Sequence, residues 1–140
     1  MKHSGGCLCG EVRFEVEGKP SFVGVCHCKD CQLRTGSLFG VGVFFAEEKI
    51  GVLSGNLEDY SYETASGNTI RLERCTNCGT SIFWKSSSIS GITGTAGGTY
   101  DPPTFWYDIT REIYTRSKAD FCIIDAPETY VDTPGQSPPS

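Results

Sequence analysis

Eight cysteines, falling into three tight groups and one singleton, constrain this chain more than any other feature of its 140 residues. Cys7 and Cys9 form a Cys-x-Cys pair. Cys26, Cys28 and Cys31 lie close together with His27 between the first two, and Cys75 and Cys78 form a Cys-x-x-Cys turn ending in Gly79. Cys122 stands alone in Phe121-Cys122-Ile123-Ile124 and reads as a small buried hydrophobe. No apolar run follows the basic residue at the N-terminus, and no apolar stretch approaches bilayer-spanning length. The chain therefore reads as a soluble, cytoplasmic protein with no membrane partner. A reducing compartment points the cysteines toward metal rather than disulfides.

The length suits one domain, expected over residues 1–125, with a Pro-rich and polar tail over 126–140 that is expected to be partly disordered, above all over 133–140. A formal net charge of −5, with acidic and basic residues interspersed, argues against a nucleic-acid partner. Small molecules or other proteins remain as partners, and the oligomeric state is open.

Along the chain, residues 10–17 alternate apolar and charged positions as a half-buried strand does. Gly18-Lys19-Pro20 interrupts it, and Phe22-Val23-Gly24-Val25 reads as a second strand, so the first two cysteine groups are expected to flank one hairpin. Residues 29–35 suit one or two helical turns with Gly36 as a left-handed stop. Residues 38–45 and 50–53 read as strands, and residues 57–64 and 69–74 as a hairpin closed by Ala65-Ser66-Gly67-Asn68. Ile82-Phe83-Trp84, residues 89–95 and residues 112–115 are further strands, and Phe105-Trp106-Tyr107 reads as core. With no amphipathic helix of useful length, the fold class is mainly β, built of short antiparallel strands and hairpins.

A Cys-x-Cys pair and a Cys-x-x-Cys turn brought together supply four thiolates, which close a tetrahedron around zinc and leave no room for substrate. Grouping Cys7, Cys9, Cys75 and Cys78 leaves Cys26, Cys28 and Cys31 as a three-ligand site with an open position, the mark of catalytic rather than structural zinc. A rival grouping joins Cys28 and Cys31 to Cys75 and Cys78, but the intervening 43 residues far exceed the ~15–20 usual for such a ribbon. His27, beside the open site, is a candidate for hydrogen bonding or proton shuttling, as is Asp30. Lys29 and Arg34 are candidates to dock a substrate carboxylate.

Gly6-Cys7-Leu8-Cys9-Gly10-Glu11-Val12-Arg13-Phe14, Cys26-His27-Cys28-Lys29-Asp30-Cys31 followed by Thr35-Gly36-Ser37, and Cys75-Thr76-Asn77-Cys78-Gly79 resemble the glutathione-dependent formaldehyde-activating enzyme family, which includes centromere protein V. The resemblance covers about residues 5–121. It implies a zinc-stapled β-tent fold and a carbon–sulfur lyase that makes and breaks S-hydroxymethylglutathione. Two zinc ions per chain are implied, a structural one on Cys7, Cys9, Cys75 and Cys78 and a catalytic one on Cys26, Cys28 and Cys31, with glutathione as co-substrate. Gln32 stands where the family often has a basic residue, and Phe121 where a tryptophan is common. Two other functions stay in view: a zinc enzyme of this fold acting on another carbonyl compound or thiol adduct, and a non-catalytic zinc-binding interaction module that would not need the central cluster.

Overall fold

The chain forms eleven strands and one α-helix among residues 1–134, which are those that the computed structural model describes. The strands are β1 (Lys2–Gly6), β2 (Arg13–Glu17), β3 (Phe22–Cys26), β4 (Gly40–Ala46), β5 (Ile50–Ser54), β6 (Leu57–Glu63), β7 (Thr69–Cys75), β8 (Ser81–Ser86), β9 (Ile92–Ala96), β10 (Arg111–Ile113) and β11 (Glu128–Thr129); α1 spans Lys29–Thr35. They form two sheets, one of three strands in the order β1-β2-β5 and one of eight in the order β11-β10-β3-β4-β9-β8-β7-β6. Neighbours run antiparallel except β10, which pairs parallel with both β3 and β11.

The core holds Val12, Phe14 and Val16 from β2 and the segment before it, packed with Val23, Val43, Phe45, Ile82 and Phe83 of the larger sheet. Fully burying a side chain such as Phe14 or Phe45 contributes roughly 1.5–3 kcal/mol over leaving it exposed, and these rings lie between the smaller sheet and the larger. Successive residues of a strand face opposite sides. On β3 and β4, Val23, Val25, Val43 and Phe45 accordingly point to the core. Phe22, Gly24, Cys26, Gly40, Gly42 and Phe44 line the opposite face, where a cavity opens.

Several expectations change here. β2 and β3 do not form one hairpin: β2 pairs with β1 and β5, and β3 with β4 and β10, so Gly18-Lys19-Pro20 carries the chain from one sheet to the other. β1 forms although Lys-His-Ser-Gly-Gly offers no apolar alternation; its partner β2 and the stacking of His3 on Trp106, ring centroids 3.6 Å apart, hold it in place. Trp106 and Tyr107 pack against the core, but Phe105 is 72% exposed, since three successive loop side chains cannot share one side. Cys122 is half-buried between an exposed Phe121 and an exposed Ile123 rather than enclosed. Beyond Ala126 the chain returns to the sheet as β11, and Thr133 and Pro134 reach the cavity wall. From residue 135 onward, the expectation of disorder lies outside the described residues. No helix among the described residues is long and apolar enough to cross a membrane.

Candidate metal centre and its cavity

The β1–β2 connection carries Cys7 and Cys9, β7 ends on Cys75, and the turn after it supplies Cys78. Their four sulfur atoms lie within 4.8 Å of one another, with Cys7–Cys9 and Cys9–Cys75 at 3.5 and 3.8 Å. A tetrahedral ion with metal–sulfur bonds of about 2.3 Å has edges of about 3.8 Å, a spacing that this donor set can accommodate. Backbone N–H groups favour the ionised form that a metal needs: Val12 donates to Cys7 Sγ (3.2 Å), and Asn77 and Cys78 donate to Cys75 Sγ (3.4 and 3.5 Å). The Thr80 hydroxyl, 3.2 Å from Cys78 Sγ, pushes that thiol down to about 5.

The second group sits at a strand-to-helix junction. Cys26 ends β3, Cys28 caps α1 by accepting from the Cys31 backbone N–H (3.3 Å), and Cys31 lies in the first helical turn. The helix stops where expected: Gly36 adopts φ 69°, and its N–H reaches Gln32 O at 2.8 Å. The three sulfur atoms again lie within 4.8 Å of one another, and among the described residues no fourth Cys, His or carboxylate joins them. Without a cation the trio shares its charge unevenly. The thiol hydrogen bonds from Cys26 and Cys31 push Cys28 far down, while bonds to Cys28 and Cys31 and then burial push Cys26 far up. Three ionised sulfurs at this spacing require a cation between them, and the donor set fits one.

This trio, and not the four-cysteine group, lines the cavity of about 660 Å³. Lys29, Asp30 and Arg34 line it too. Arg34 runs over Gly40, where a Cβ would stand 2.5 Å from its Nη2, and spreads over Trp84, 4.3 Å from the ring centroid. Its Nη2 is 3.8 Å from Cys31 Sγ. The floor is aromatic: Phe22 stacks on Phe44 at 4.4 Å, and Phe44 meets Trp84 edge-on at 6.0 Å. Gly42 and Gly94 make room for these rings, since a Cβ at either would lie under 3 Å from both Phe44 and Trp84.

Tyr62, Tyr114, Trp84 and Arg111 also line the cavity. No local motif marks these residues; sheet order brings them together. Burial, followed by the nearby Cys31 charge, pushes the Tyr62 phenol up to about 12. Burial and then the Cys26 and Cys28 charges push Tyr114 up as well. Both phenols hold their protons at neutral pH. Tyr114 has a left-handed backbone at φ 56°, costly for a bulky residue and found where surrounding structure dictates it.

His27, expected beside the reacting atoms, is placed elsewhere. Alternation at the end of β3 turns it away from the cavity, and it is fully buried with Nε2 2.7 Å from Glu112 Oε2. Lys118 Nζ lies 3.1 Å from the same oxygen, and His27 Nδ1 has no hydrogen-bond partner. Gln32 reinforces this back wall by donating from Nε2 to His27 O and Ser117 O, both at 3.1 Å.

Comparison with known proteins bears on the same elements. The fold is similar to the crystal structure of a Rhodobacter sphaeroides protein, a structural-genomics target, with a TM-score of 0.56 at 22% identity over 74% of this chain and 95% of that one. At that identity the likeness speaks for the fold. Residues 2–117, a span that contains all seven clustered cysteines, match the family described as glutathione-dependent formaldehyde-activating enzyme. With that match over most of its length, the chain belongs to the glutathione-dependent formaldehyde-activating enzyme family.

Proposed function

We propose that the protein is a zinc-dependent carbon–sulfur lyase of the S-(hydroxymethyl)glutathione synthase type, joining a thiol to formaldehyde and reversing that step. The observation that carries this reading is the three-cysteine cluster facing a cavity large enough for a small peptide thiol, while a separate four-cysteine cluster offers a complete tetrahedral donor set away from that cavity. Zinc held by Cys26, Cys28 and Cys31 would lower the pKa of a thiol entering its open position, supplying thiolate at neutral pH.

The chain's own residues supply the rest. Arg34, beside Cys31, offsets the negative charge of three ionised cysteines. The aromatic floor gives the substrate an apolar surface to pack on. As the sulfur–carbon bond forms, the carbonyl π bond opens onto oxygen, and the proton given up by the thiol ends on that oxygen. Tyr62 and Tyr114 present protonated phenols to the cavity and can donate hydrogen bonds to the oxygen as its charge grows. Reversal takes the hydroxyl proton back and expels formaldehyde. A purely structural module would have no use for a metal-fitting trio opening on a cavity.

The test is exchange NMR on zinc-loaded protein with formaldehyde and glutathione at equilibrium. The proposal expects protein-dependent broadening or magnetisation transfer between free and adduct signals, lost in Cys28→Ser. Exchange at the uncatalysed rate with fully zinc-loaded protein would overturn it.

A further inference from the structure

The chain has six arginines, and four of them spend their charge on a carboxylate: Arg13 on Asp101, Arg71 on Asp59, Arg74 on Glu58 and Arg116 on Asp132. The other two, Arg34 and Arg111, both line the cavity. Arg34 is taken up by Cys31 Sγ and the Trp84 face. Arg111 alone among the described arginines has no anionic partner. Its register partner on β11, Glu128, accepts instead from the Tyr130 hydroxyl.

Arg111 is nevertheless held firmly. It sits opposite Gly24 on β3, its Cγ 3.7 Å from where a Cβ on that glycine would be, and its guanidinium lies over Phe22 with 4.3 Å to the ring centroid. Its Nε is buried without a hydrogen-bond partner. A guanidinium packed over a ring can still offer the donors at its edge, and those can receive a carboxylate through two parallel hydrogen bonds. A half-buried cation with a buried, unmet donor is costly to keep unless something outside the chain completes it.

Its position sets the length of what it receives. Phe22 and Cys26 are four residues apart on β3, about 13 Å along the strand. Small mercapto acids carry their carboxylate within about 5 Å of sulfur, whereas an extended tripeptide spans about 10 Å. We infer that Arg111 is a specificity-determining residue that receives the far carboxylate of the thiol substrate, so that the cavity selects peptide-length thiol acids over small thiols. This rests on the proposed thiol-binding role of the three-cysteine cluster, and it adds the residue that reads the substrate's other end.

The experiment is calorimetric titration of zinc-loaded protein with glutathione and with its two monoamides, each having one carboxylate blocked. Wild type is expected to bind one of the amides about ten- to a hundredfold more weakly than glutathione, the range of a lost charge-assisted bidentate contact. Arg111→Met is expected to bind glutathione as weakly as wild type binds that amide, and to lose the discrimination; Arg111→Lys should fall between. Equal wild-type affinity for glutathione and both amides would overturn the inference without any variant, as would an Arg111→Met protein that still discriminates, or no binding of glutathione at all. Discrimination without catalysed exchange would leave Arg111 in place and remove the lyase reading. Catalysed exchange without discrimination would do the reverse.

Discussion

The two cysteine clusters use the same ligand atom and differ in what surrounds it. Cys7, Cys9, Cys75 and Cys78 bring the loop after β1 together with the end of β7, against the core and away from the cavity. Cys26, Cys28 and Cys31 stop one donor short and turn onto a cavity floored by aromatic rings and edged by Arg34 and Arg111. The difference teaches that donor count and outlook, more than donor type, separate a staple from a place where chemistry can happen.

The largest effect is expected at the closed cluster. On the proposed zinc reading, Cys75→Ser removes a donor from a site whose metal would contribute on the order of 10 kcal/mol to folding, as in small zinc domains, comparable with a whole domain's stability. The variant should lack a cooperative thermal transition by circular dichroism. Cys28→Ser should instead keep its fold and lose at least about a hundredfold in catalysed exchange, because its cluster faces the cavity rather than the core. A Cys28→Ser protein that is unfolded, or folded and fully active, would erase the distinction.

A subtler test acts behind the open cluster. Glu112 is buried under His27 and Lys118, so Glu112→Gln removes the charge that both contact. Lys118 can reach water, which moderates the loss to about 2 kcal/mol by chemical denaturation. Competition with a chelator should show weaker metal at the three-cysteine cluster by about tenfold, with the four-cysteine cluster unchanged. Gly42→Ala should cost about 1–3 kcal/mol and impair glutathione binding, since the new methyl collides with Phe44 and Trp84. The smallest effect belongs to Arg71→Ala, whose exposed pair with Asp59 should change stability by less than about 1 kcal/mol and leave both clusters untouched.

Much of this was legible in the sequence where local spacing decides. The clustering of Cys26, Cys28 and Cys31, the short helix stopped by Gly36 and the hairpin over residues 57–75 all follow from neighbours within a few positions. What could not be read was which strand lies beside which. Gly18-Lys19-Pro20 announces a break in a strand but not that the chain changes sheets. His27 looked available beside its cysteines, and only the packing of Glu112, 85 residues away, shows that it is enclosed. Arg111, Tyr62 and Tyr114 reach the cavity through the order of strands, which no motif records.

Metal stoichiometry followed through stepwise chelation, with fold and exchange monitored together, tests the division of labour most directly. The account predicts two zinc ions per chain: one removed first, taking catalysed exchange with it while circular dichroism stays native, and the second removed only as the fold is lost. A single zinc per chain, or two that leave together with the fold, would contradict it.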